Sequence, residues 1–135
     1  MTVVFADTSF YQALLNPRDQ WHKRAASLSR AVTAKTVTSE YVLCEFGAVM
    51  ARGDHRALFV ELVGTLREDK DALVIEASSD LFQRGLELFA TRSDKSWSIT
   101  DCISFAIMKE WNISDALASD HHFEQAGFRP LLAKF

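Results

Sequence analysis

A chain of 135 residues with 48% hydrophobic and 24% charged side chains has the composition of one globular domain, able to bury about two thirds of its surface, and disorder is excluded as its main theme. Its 18 acidic and 15 basic residues leave a net charge of −3, so no broad positive field marks it for nucleic acid and any polyanion must be met locally. No apolar run approaches the roughly 20 residues that span a bilayer, and the N-terminus lacks the basic lead and apolar core of a secretory signal, so a soluble, cytoplasmic protein is expected. The two cysteines, Cys44 and Cys102, fit no metal spacing and read as reduced, small, buried hydrophobes.

In chain order, residues 3–6 form a β-rich run ending at Asp7, and a helix-period stretch over 9–15 follows. A second helix is predicted over 20–34 and a short strand over 36–38. The apolar spacing then predicts helices over 39–52 and 55–67, a strand over 73–75, helices over 79–92 and 100–111, a strand over 116–118 and a short helix near Phe123. Five scattered glycines and two prolines make no linker and no repeat is present, so residues 1–135 read as one domain. Short strands alternating with longer helices predict an α/β fold, with a parallel sheet of four or five strands and helices on both faces.

Ligands of such sheets gather outside the carboxyl ends of the strands, so the residues just after each strand are the ones to inspect. Two are aspartates, Asp7 and Asp120, and for each a helix N-cap is an alternative role. Asp101 lies three residues after Ser98, a spacing that also suits a capping box. Glu45 falls on the inward stripe of its helix with Val42, Phe46 and Val49. A lone carboxylate there is costly unless it swings to the stripe's edge or pairs with an arginine.

Four acids brought to one sheet edge would repel and raise one another's pKa values unless a cation neutralised them. Hard oxygen ligands select Mg²⁺ or Mn²⁺, which bind through a few carboxylates and keep several waters. The chemistry this indicates is phosphodiester hydrolysis, with a water of lowered pKa attacking phosphorus in line. Other enzyme classes lack their motifs: there is no G-x-S-x-G, G-x-x-x-x-G-K-[ST], G-x-G-x-x-G or H-E-x-x-H. A phosphoaspartate enzyme would want a second acid two residues after Asp7, where Ser9 stands, and a signalling receiver would want paired acids at the first strand.

The stretches FADTSF, SEYVLCEF, KSWSITDCISFAIM and ALASDHHFEQAGF, in this order and spacing across essentially the whole chain, resemble the signature of PIN-domain ribonucleases, especially VapC-type toxins. The resemblance implies a three-layer α/β/α sandwich. It implies an acidic metal site of Asp7, Glu45, Asp101 and Asp120 with the Thr100 hydroxyl beside it, and products bearing a 5′-phosphate and a 3′-hydroxyl. A cognate antitoxin covering the cleft and a homodimer are implied as well.

Asp94 also recurs near the site in that family, but is read here as a solvated loop acid. His121 and His122 stay outside the ligand set, because imidazole suits zinc better than a carboxylate magnesium site. Without the four acids the remaining net charge is −3 + 4 = +1, so the RNA backbone must rely on a few placed cations, with Arg18, Lys23, Arg24, Arg92 and Lys95 as candidates. Single-stranded or looped RNA suits such a cleft better than a duplex. Ten phenylalanines and three tryptophans either fill the core or leave an apolar patch for a partner. A housekeeping PIN nuclease would carry the same four acids, and the other alternative, a PIN-type fold that only binds RNA or protein, is disfavoured by the presence of all four.

Overall fold

The structure, a computed structural model, describes residues 2–31 and 34–133. Five strands form one parallel sheet: β1 (Val3–Ala6), β2 (Lys35–Ser39), β3 (Ala72–Ile75), β4 (Asp115–Leu117) and β5 (Arg129–Pro130), in the order β3-β2-β1-β4-β5. Seven helices flank it: α1 (Thr8–Leu15), α2 (His22–Ala31), α3 (Glu40–Val49), α4 (His55–Glu68), α5 (Ser79–Thr91), α6 (Ile99–Glu110) and α7 (His121–Gln125).

The central strand explains itself. Val4, Phe5 and Ala6 are all buried, as a continuous apolar run must be when a parallel strand has neighbours on both edges and helices over it. Val4 pairs with Thr36 on one side and Asp115 on the other, and Ala6 pairs with Leu117. From β1 the chain builds outward through β2 to β3, then returns to lay β4 and β5 on the opposite edge of β1. The carboxyl ends of β1 and β4 are thus neighbours at the point where strand order reverses, the place where α/β sheets bind ligands.

Helix starts are set by side-chain caps. Ser39 accepts from the Val42 amide at the head of α3 and Ser78 from the Leu81 amide at the head of α5, each satisfying a backbone donor the helix leaves unpaired. Helix α2 begins at His22 rather than at residue 20, because the Asp19 carboxylate takes the Trp21 amide and turns the chain first. Residues 32 and 33 of that predicted helix lie outside the described residues. Helix α3 stops at Val49, short of the expected residue 52.

Between α5 and α6 the backbones touch: a Cβ on Gly85 would stand 2.3 Å from Ile103 Cγ1 and 3.2 Å from the Ile103 backbone nitrogen. The core beneath α6 is aromatic, with Phe105 at 5.0 Å, edge to face, from both Trp97 and Phe123. Phe5, Phe10, Phe46, Phe105 and Phe123 are buried, whereas Phe82, Leu86 and Phe89 are exposed on α5 and Trp111 just beyond α6. One expectation is corrected. Cys102 is buried, but Cys44 is exposed, because α3 turns Val42, Leu43 and Phe46 inward and position 44 falls on the opposite face. No helix among the described residues is long and apolar enough to cross a membrane.

Candidate metal centre

Strand β1 delivers Asp7 to the sheet edge with its backbone still extended, and the carboxylate caps α1. Its Oδ2 accepts from the Ser9 amide at 3.2 Å and the Ser9 hydroxyl at 2.8 Å. The same hydroxyl oxygen accepts from the Ser119 amide at 3.1 Å, just past β4, while the Asp7 amide donates to Leu117 at 3.1 Å. Asp7 is therefore pinned between β1 and β4, and only 5% exposed. Burial pushes its carboxyl up to about 7, with the Ser9 bonds opposing and the nearby Asp101 charge adding to the rise.

The other three acids reach the same place from three further elements. Glu45, half-buried on α3, receives the Thr8 hydroxyl on Oε1. Asp101, 8% exposed, completes a capping box with Ser98 at the head of α6. Its Oδ2 accepts from the Ser98 amide at 3.0 Å and lies 3.0 Å from His122 Nδ1. Asp120 caps α7, its Oδ1 accepting from the His122 amide at 2.9 Å. The N-cap and capping-box roles read from sequence are present, and the same residues also line a cavity. Capping and lining are compatible, because each carboxylate has two oxygens and the hydrogen bonds described fall on one oxygen of each.

Asp7, Glu45, Asp101 and Asp120 line one open cleft of about 320 Å³, together with Thr8, Ser9, Gln12, Val49, Ser96, Ser98 and His122. Among the described residues, no lysine or arginine lines it. Four carboxylates without a basic counter-charge, one of them buried enough to resist ionisation, are a donor set that fits a divalent cation. The hardness of these oxygens suits an ion that keeps several of its own waters. Among the described residues, three potential ligand atoms come within 4.8 Å of one another at Asp120, His121 and His122. His121 is largely exposed there, and its Nδ1 is 3.5 Å from Asp120.

Thr100 sits half-buried in the first turn of α6, beside Asp101 in sequence, and is not among the cleft's lining residues. Asp94 is exposed and forms a two-bond pair with Arg92 at 3.0 and 3.1 Å. Of the basic candidates, Arg92 and Lys95 border a second depression that shares Ser96 with the acidic cleft, and the Arg92 guanidinium lies 5.0 Å over the Trp97 ring. Arg24 donates to the Leu131 carbonyl at 3.3 Å, and Arg18 and Lys23 are exposed. The roles of Thr8, Ser9 and His122 were not read from sequence. A hydroxyl two residues after Asp7 was the one local signal available, since Ser and Asp in that relation bond readily across a tight turn.

The PIN domain model matches residues 4–129 of the chain. Over 127 residues the chain is 32% identical to the 23S rRNA-specific endonuclease VapC20 of Mycobacterium tuberculosis, in strain CDC 1551 / Oshkosh and in strain H37Rv alike, covering 93% of this chain and 95% of that protein. The crystal structure of M. tuberculosis VapC20, described as a sarcin-ricin loop cleaving toxin, superposes with a TM-score of 0.84 at 30% sequence identity, again covering 93% of this chain and 95% of the other.

Proposed function

Because the chain belongs to the PIN-domain family and is a ribonuclease of the VapC-toxin type, we propose that Asp7, Glu45, Asp101 and Asp120 together hold one or two Mg²⁺ or Mn²⁺ ions and that RNA is hydrolysed at this cleft. The observation that carries the reading is the meeting of four carboxylates in one cleft, with no lysine or arginine lining it among the described residues. When bound, a divalent ion supplies Lewis acidity toward a phosphate oxygen and an activated water. The chain's own residues do the placing. Ser9 holds one oxygen of Asp7, Thr8 one of Glu45, and Ser98 one of Asp101, which directs the second oxygens to a cation. Thr100, one residue before Asp101, orients that carboxylate or a bound water. The depression that Arg92 and Lys95 border shares Ser96 with the cleft, which supports their meeting RNA phosphates.

The substrate proposed is a looped segment of ribosomal RNA, in keeping with the relative named as a 23S rRNA-specific endonuclease. The setting proposed is cytoplasmic, with a cognate antitoxin over the cleft and a second copy against the exposed Phe82, Leu86 and Phe89 of α5. Exposed Val49 lines both the acidic cleft and an adjoining apolar depression with Phe46, Met50 and Leu58, a surface that suits a covering protein segment.

Purified protein incubated with ribosomes and Mn²⁺ is expected to cut 23S rRNA within its sarcin-ricin loop, leaving a 5′-phosphate and a 3′-hydroxyl, and to stop on chelation. Thr100→Val should lower the cleavage rate with little change in melting temperature. Cleavage elsewhere would overturn the substrate; RNA binding without cleavage at any metal concentration would overturn catalysis.

A further inference from the structure

Beyond the four acids, we infer that His122 is a positioning residue for the metal cleft: its ring N–H holds one oxygen of Asp101 and its backbone amide one oxygen of Asp120, so that the opposite oxygens are presented to the cation. This rests on the metal-site reading above and deepens it. His122 Nδ1 lies 3.0 Å from Asp101 Oδ2 and 3.3 Å from Asp120 Oδ1. The ring lines the cleft and its side chain is only 16% exposed.

The hydrogen-bond pattern assigns the tautomer. Ionised carboxylates only accept, so Nδ1 must carry the proton. Nε2 lies 3.4 Å from the Ser96 hydroxyl, a second polar contact that fixes the plane of the ring. The backbone contributes too, since the His122 amide donates to the same Asp120 Oδ1 at 2.9 Å. One residue thus joins the head of α6 to the head of α7. With no lysine or arginine among the described residues that line the cleft, two carboxylates from separate elements would otherwise move apart by repulsion.

His121 cannot substitute, because its side chain is 71% exposed and its Nδ1 is 3.5 Å from Asp120. The imidazole that suits a magnesium site poorly as a ligand serves it as a donor to the ligands. Partners of this outer kind, when replaced, typically lower metal affinity about ten- to a hundredfold.

Three substitutions test the geometry. Asparagine places its amide N–H near the position of Nδ1, glutamine near that of Nε2, and alanine removes the donor. Mn²⁺ binding to the metal-free protein is measured by calorimetry and by the rise in melting temperature, and RNA cleavage is followed as Mn²⁺ is raised. His122→Ala and His122→Gln should weaken Mn²⁺ binding by about tenfold or more, and His122→Asn should stay within a few-fold of wild type. Cleavage lost at low Mn²⁺ should return at high Mn²⁺, with KM for RNA unchanged.

Equal Mn²⁺ affinity in wild type and His122→Ala would overturn the inference while leaving the metal site intact. Equal losses in His122→Asn and His122→Gln would overturn it as well, assigning the ring to packing or direct ligation, and this pair decides if the alanine variant fails to fold. A wild-type protein that binds no Mn²⁺ would remove the metal-site reading itself, and this inference with it.

Discussion

At the scale of single residues, Asp7 combines structural and chemical demands. Its carboxyl is raised from 3.8 to about 7, chiefly by burial, so folding favours the protonated form. The stability associated with that proton is fully present below the unfolded value and is lost as pH rises through the folded one. Without metal, Asp7→Asn should therefore be more stable than wild type at about pH 8, by up to about 4 kcal/mol, and the gap should close toward about pH 4. Urea denaturation across that range reads the sign directly. Mn²⁺ should stabilise wild type at the upper pH and do much less for the mutant, because only the carboxylate attracts it. An Asp7 that serves as a cap alone gives a mutant less stable at every pH. The capping places of Asp7, Asp101 and Asp120 were legible from positions after strands and at a helix start, and Glu45 stood out as a lone acid on an apolar stripe. The donors that orient them were not, since no pattern in sequence reveals which ring nitrogen of His122 faces which carboxylate.

Among the elements, the helices and the four longer strands were legible from apolar period and β-branched runs, and their ends moved where a side chain intervened. Strand β5 escaped because it is two residues long and holds Pro130, which signals an edge at most. Contact between α5 and α6 was equally invisible, for a glycine in an exposed-looking helix gives no hint of what crosses it. Gly85→Ala should gain up to about 1 kcal/mol in helix propensity. It must also push against the Ile103 side chain and its backbone, and overpacking of this kind costs about 1–3 kcal/mol. The net effect expected is a loss of stability. Because α6 carries Asp101 into the cleft, cleavage should fall as well. A variant as stable and as active as wild type would show that the helices separate freely.

For the molecule as a whole, the fold does not depend on a metal to form its core. The buried cluster runs from Val4 to Leu132 and draws on β1, β2 and β4, with Ile75 of the half-exposed β3 packed against it. This differs from small metal-folded domains, whose ligands take the place of a core. Chelation should therefore abolish cleavage yet leave the far-ultraviolet circular dichroism unchanged, with a lowered melting temperature as the only structural sign of metal loss. Unfolding on chelation would contradict this. The α/β class was legible because it depends on alternation along the whole chain. The cleft's shape was not, because it depends on which strand ends become neighbours.

The bond from the Ser119 amide to the Ser9 hydroxyl also bears on when activity can exist during synthesis. Asp7 and its partner Ser9 are translated first, yet the group that fixes Ser9, and the fourth acid, Asp120, follow β4. A ribosome adds about 5–20 residues each second, so for several seconds a growing chain has its first acid and lacks the segment that positions it. Any product of interrupted translation that stops before β4 lacks Asp120 and the Ser119 amide that fixes Ser9, and if Asp120 belongs to the proposed metal site such a fragment is expected to be inert as a nuclease.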